Sequence, residues 1–164
     1  MRAWIIEHLL KMEDDTKQFL TLDASVVLAS LLPNEKYAQL SRVLLEQAAI
    51  KPVQIIVPSL LDLEVTNAIR SAVLSKRINA KSGTETLKVY WDIPLKRMEL
   101  NRVDVERSLT ISIRYSCSVY DAIYVALAQR QNCRFYTLDT MLYHKLKSFF
   151  PFIVLLSEEK PAYK

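Results

Sequence analysis

Four carboxylates stand where this chain has the means to do chemistry: Asp23, Glu64, Asp121 and Asp139. Asp23 follows the apolar run Phe19-Leu20-Thr21-Leu22, and Asp139 follows Arg134-Phe135-Tyr136-Thr137-Leu138. Glu64 falls in the second turn of a helix expected after Pro58-Ser59, with Asn67 one turn on. Asp121 opens another helix within Ser118-Val119-Tyr120-Asp121. Like charges in one place repel and raise each other's pKa, so a site that gathers several carboxylates normally contains a cation. Each acid also has a plain structural explanation. Asp23 and Asp139 can cap the helices that follow them, and Ser118 with Asp121 has capping-box spacing. Glu64 is harder to explain that way. Leu61, Val65, Ala68 and Ala72 make one apolar stripe, and Leu60, Ile69 and Val73 extend it around the other side. Glu64, Asn67 and Ser71 lie on the polar strip between, where a flanked carboxylate wants a basic partner or a cation.

Composition removes other chemistries. Gly83 is the sole glycine, so a dinucleotide loop, a P-loop and a nucleophile elbow are all excluded. His8 and His144 are too far apart for a helical two-histidine zinc site. Cys117 and Cys133 make no C-x-x-C pair and have no adjacent base. His8 precedes the domain and His144 sits on a late helix, so neither is expected to act as an acid or base.

The 164 residues, 51% hydrophobic and 24% charged, suit one domain around a single core. Short apolar runs alternate with helical periodicity: strands at 19–22, 53–57, 97–100, 134–137 and 152–156, with helices between. The helices are expected at 24–32, from a cap at Asn34 through Ala48, then 60–78, 80–91, 102–116, 120–131 and 141–149. Val53–Val57 is continuously apolar, the mark of a strand buried on both faces. The alternation predicts an α/β fold with a parallel central sheet flanked by helices on both faces. Ligands in such folds sit at the carboxyl ends of strands, where these acids fall.

Residues 1–18 read as an amphipathic helical extension, 19–156 as the domain and 157–164 as a tail. No apolar run approaches the ~20 residues that span a bilayer, and no cleavable leader is evident. Two cysteines without a disulfide framework suit a reducing cytoplasm. The net charge is +4, and residues 70–134 carry twelve Lys/Arg against six Asp/Glu. A basic middle is consistent with a polyanionic partner, although a solvated surface produces the same pattern.

Four segments together resemble the PIN-domain ribonucleases, and within them the VapC-type toxins of prokaryotic toxin–antitoxin pairs. They are L-T-L-D-A-S-V-V-L at 20–28, V-P-S-L-L-D-L-E-V-T-N-A at 57–68, S-V-Y-D-A-I-Y-V-A-L-A at 118–128 and F-Y-T-L-D at 135–139. They occur in the family's order and cover nearly the whole domain. The resemblance puts the family's acidic quartet on Asp23, Glu64, Asp121 and Asp139, and its accompanying polar positions on Ser25, Asn67, Ser118 and Thr137. It implies Mg²⁺ or Mn²⁺ held by the quartet, with Asp139 a second-metal ligand or a group orienting water. It further implies an RNA substrate with its backbone held by Arg70, Lys76 and Arg77, an antitoxin partner and a homodimer. Apolar residues beyond one stripe on helices 34–50 and 60–78 mark the expected dimer face. The extension before Phe19 departs from the family pattern. Two other classes compete: a non-cleaving RNA- or protein-binding module on a PIN scaffold, and a phosphotransfer receiver. The intact quartet speaks against the first. The second expects paired acids after strand one and a lysine after the last strand, whereas Asp23 is alone and Ser157-Glu158 follows Leu156.

Overall fold

The computed structural model describes residues 18–50 and 53–156. The expected 1–18 extension and 157–164 tail fall almost wholly outside the described residues.

Five strands form one sheet: β1 (Gln18–Leu22), β2 (Val53–Pro58), β3 (Leu95–Met98), β4 (Arg134–Thr137) and β5 (Ile153–Leu155). All pairings are parallel, in the order β3-β2-β1-β4-β5. Seven helices are described: α1 (Ala24–Leu31), α2 (Ala38–Ile50), α3 (Leu60–Leu74), α4 (Ala80–Asp92), α5 (Arg102–Tyr115), α6 (Val119–Arg130) and α7 (Thr140–Leu146). The α/β reading with a parallel central sheet therefore holds. Connections from β1 to β3 step across the sheet one way and those from β3 to β5 step the other. Right-handed crossovers then place α1–α4 on one face and α5–α7 on the opposite face. The direction reverses between β1 and β4, which opens a crevice at their carboxyl ends.

The core lies between sheet and helices. Leu20, Leu22, Ile56, Val57 and Phe135 from the strands meet Val27, Leu61, Val65 and the continuously buried run Ala122–Ala128 of α6. Gly83 permits close packing of α4 on α3: a Cβ there would lie 2.8 Å from Val73 Cγ2. At the far end of the α5–α6 pair, Arg130 reaches the buried Asp104 at 3.2 Å.

Several boundaries differ from expectation, each for a local reason. Helix α3 stops at Leu74, not Ile78, because Lys76 turns left-handed at φ 60° and the Arg77 and Ile78 amides both donate to Ala72 O. Asn34, at φ 62°, lies in a turn and does not cap α2, which starts at Ala38. Strand β3 begins at Leu95, two residues early, because its register is set by pairing with Ile55–Pro58.

Candidate active site

Asp23 extends the sheet before it does anything else. Its amide donates to Tyr136 O at 2.9 Å, continuing the β1–β4 ladder by one bond. It occupies the N-cap position of α1, yet its side chain caps nothing. The carboxylate instead accepts two hydroxyls on Oδ2, from Ser25 at 2.6 Å and Thr137 at 2.8 Å. Those hydroxyls are themselves fixed: Ser25 Oγ accepts from Leu138 N at 3.1 Å, and Thr137 Oγ1 from Asp139 N at 3.0 Å. The Asp23 side chain and the loop leaving β4 are thus tied into one network. Asp23 is only 8% exposed. Burial pushes its carboxyl above the usual range and the Asp121 charge adds to this, while the two hydroxyls act against them.

Glu64 projects from α3, whose buried stripe is Leu61, Val65, Ile69 and Ala72. Its partner is neither a base nor a cation but the hydroxyl of Tyr124, which donates to Glu64 Oε2. The Tyr124 ring is buried and stacked on Phe135, with centroids 5.9 Å apart. Burial raises the Glu64 pKa, and the charges of Asp23 and Asp121 add to it against the pull of the Tyr124 hydrogen bond. Burial and the neighbouring Glu64 push the Tyr124 phenol far up, so it stays a donor.

Asp121 sits in the first turn of α6. Ser118 Oγ accepts from its amide at 3.0 Å, but the reciprocal half of the capping box is not made. Among the described residues its carboxylate takes no hydrogen bond or ion pair, and its charge is felt at Asp23, Glu64 and Cys117. Asp139 behaves differently. It caps α7, accepting from Leu142 N at 2.9 Å, and is linked to Asp23 only through Thr137. Three of the four acids therefore share one electrostatic field, and the fourth adjoins it through a hydroxyl.

The accompanying polar residues divide likewise. Ser25 and Thr137 touch a carboxylate, whereas Ser118 caps a helix and Asn67 is exposed, with no side-chain hydrogen bond among the described residues. Arg70 and Lys76 are exposed. Arg77 is committed elsewhere, to Glu35 Oε1 at 2.7 Å and Pro33 O at 3.1 Å. His144 is exposed on α7, edge-on to Tyr143. Beside Ser25 and Leu138 a groove of about 720 Å³ opens between α1 and α3, with Leu28, Tyr37 and Ala68 in its walls.

Tyr124 escapes a sequence reading because Ala122–Ala128 looks like uniform core. The signal was its place one turn after Asp121, on the same helix face, as a lone hydroxyl in an apolar run.

The donor set suits a hard divalent cation, since it is all oxygen and, among the described residues, no basic side chain pairs with Asp23, Glu64 or Asp121. Even so, no group of three His, Cys, Asp or Glu side chains among the described residues is gathered closely enough to hold an ion as it stands.

The sequence profile of the PIN domain family matches residues 20–147. Ribonuclease VapC9 of Mycobacterium tuberculosis is 32% identical over 127 residues, covering 75% of this chain and 87% of that protein. The fold is similar to VapBC2 from Rickettsia felis, solved bound to a DNA fragment from its promoter, with TM-score 0.60 and 12% identity over 84% of this chain and 97% of that one. It is also similar to Mycobacterium tuberculosis VapC20, a toxin that cleaves the sarcin-ricin loop, with TM-score 0.59 and 13% identity over 80% and 95% of the two chains.

Proposed function

The chain belongs to the PIN domain family and, within it, to the VapC ribonucleases, and on that premise we propose that it is a divalent-metal-dependent endoribonuclease, the toxin of a toxin–antitoxin pair. The observation that carries this reading is the shared field of Asp23, Glu64 and Asp121 at the carboxyl edge of the sheet, without a basic counter-charge among the described residues. These three would hold Mg²⁺ or Mn²⁺ through their carboxylate oxygens. A bound ion lowers the pKa of water and stabilises charge developing on a phosphodiester.

The chain's own residues do the positioning. Ser25 and Thr137 fix Asp23, Tyr124 fixes Glu64, and Asp139 sits beside Thr137 where it orients the attacking water. Asn67 and Ser118, exposed at the rim, donate to phosphate oxygens. Arg70, Lys76 and Arg77 are the candidates for the RNA backbone, Arg77 being also ion-paired with Glu35.

The antitoxin partner rests on the VapC relatives. A homodimer would use α3 and α5, not α2, whose apolar residues Leu40, Val43, Leu44 and Ala48 are buried in the core. Leu63 and Leu74 of α3 and the stripe Val105, Leu109 and Ile113 of α5 are exposed. Sedimentation should show a dimer that Leu109→Lys weakens, and a monomer at high micromolar concentration would overturn it. Free Cys117 and Cys133, and the lack among the described residues of a helix long and apolar enough to cross a membrane, support a cytoplasmic location.

The test is cleavage of a labelled RNA by the purified chain. EDTA should stop it and Mn²⁺ or Mg²⁺ restore it; cleavage that persists in chelator would sink the metal-dependent reading. Tyr124→Phe should lower the rate roughly 10–100-fold, as loss of a group orienting a ligand does, and weaken Mn²⁺ binding measured by calorimetry. Unchanged Mn²⁺ affinity with unchanged rate would mean that Tyr124 only fills the core.

A further inference from the structure

Two segments that flank the acids carry no acid at all. Residues 107–120 hold Arg107 and Arg114, and residues 140–156 hold His144, Lys145 and Lys147. The fold brings them together beside the site. Lys145 Nζ donates to Ser116 O at 2.7 Å, joining α7 to the turn that precedes Asp121. Tyr115 packs on Phe149 at 4.6 Å between ring centroids and edge-on to the buried Phe150 at 5.3 Å. Arg114 lies over the Tyr115 ring at 5.5 Å, and Lys147 over Tyr143 at 5.1 Å.

The result is a fixed platform of alternating rings and cations. Phe149 is 57% exposed although its amide is hydrogen-bonded to Leu146 O, so the ring is held out in solvent by ordered backbone. Tyr120, next to Asp121, is 60% exposed. Lys145 is six residues beyond Asp139 along α7, about 9 Å from it at the helical rise, which is one to two nucleotides. Rings that present a free face beside basic side chains are what unpaired bases and their phosphates require. A duplex keeps its bases stacked inside and does not offer them.

We propose that the end of α5, the turn after it and α7 form a single-stranded RNA-binding flank of the active site, in which Phe149 with Tyr115 stacks an unpaired base and Arg114, Lys145 and Lys147 neutralise adjoining phosphates. The proposal rests on the ribonuclease reading and adds to it the side of the site on which the substrate lies and the unpaired state of the RNA there.

The experiment measures binding of a labelled twelve-nucleotide single-stranded RNA by fluorescence anisotropy, using the full chain with Asp121→Asn so that the RNA stays intact. Phe149→Ala in that background should weaken binding roughly tenfold, the size of one lost stacking contact, and Phe149→Trp should restore it. Arg114→Gln with Lys147→Gln should weaken binding and lower the slope of log affinity against log salt by about 1.4, or about 0.7 for each lost phosphate contact. A blunt RNA duplex should bind the parent more weakly than the single strand. In the otherwise wild-type enzyme the same changes should raise KM with little change in kcat. If the parent binds and cleaves RNA while these variants match it, or only Arg70→Gln and Lys76→Gln weaken binding, the flank is refuted and the ribonuclease reading stands. A parent that neither binds nor cleaves RNA refutes both. Phe149→Ala that leaves RNA binding intact but changes the sedimentation coefficient makes the patch a protein contact and also refutes the proposal.

Discussion

Asp121→Asn is expected to abolish RNA cleavage in a chain that stays folded. The part of Asp121 that the fold uses is its amide, which completes the Ser118 cap, and asparagine keeps that amide. The carboxylate takes no hydrogen bond among the described residues, so no buried partner is orphaned by its loss. What disappears is the charge, and with it one of the three carboxylates proposed to hold the cation. Loss of a group that merely orients a metal ligand costs 10–100-fold, so removal of a ligand should exceed about a hundredfold. Asp139→Asn should cost less, since asparagine serves as well as aspartate at an N-cap and the site loses no member of the shared field. Cleavage assays with far-UV circular dichroism as the folding control decide this. Full activity in folded Asp121→Asn would take the residue out of the mechanism.

The second large effect is on stability. Asp23 and Glu64 both have folded-state pKa values above the ordinary 3.8 and 4.5. In that window the folded chain binds more protons than the unfolded chain, so its stability falls as pH rises and recovers as pH falls through the raised values. Without metal, Tm should therefore increase on acidification from neutral through the raised carboxylate values. A cation held by the same carboxylates acts in the opposite direction. Free ion a hundredfold above Kd adds about 2.7 kcal/mol, roughly 5–10 °C in Tm for a chain of this size, and protons compete with it. The Mg²⁺ increment should be largest at neutral pH and shrink across the same range. Thermal melts with Mg²⁺ and with EDTA at several pH values measure both signs. An unchanged Tm with Mg²⁺ at neutral pH would show that the acids do not form a metal site in the free protein.

How much of this was legible beforehand depended on whether the signal was local. The strands and most helices follow from apolar period and caps, because burial on a parallel sheet imposes continuous apolar runs. Asp23 and Asp139 could be placed because they follow strands. What escaped was set by partners distant in the chain. Glu64 pairs with a residue sixty positions away, so its need for a partner was visible and the identity of the partner was not. The contact of Arg77 with Glu35, just beyond the left-handed turn at Lys76, was equally hidden, since its partner lies 42 positions away. The exposed stripe on α5 reads in sequence like any other core-facing stripe, since periodicity does not say which apolar face remains uncovered.

The order of the strands also bears on when the enzyme can exist during its own synthesis. Asp23 lies at the end of the first strand made, yet the hydroxyl and backbone that fix it come from β4, with Thr137 114 positions later. Glu64 and Tyr124 likewise wait for each other across 60 positions. Non-local contacts of this kind form late, after the loop between them has closed. A nascent chain emerging N-terminus first can pair β1 with β2, but it cannot assemble the acids until α6 and β4 have left the ribosome. A nuclease folded in this order is inert while most of its own message is still being read.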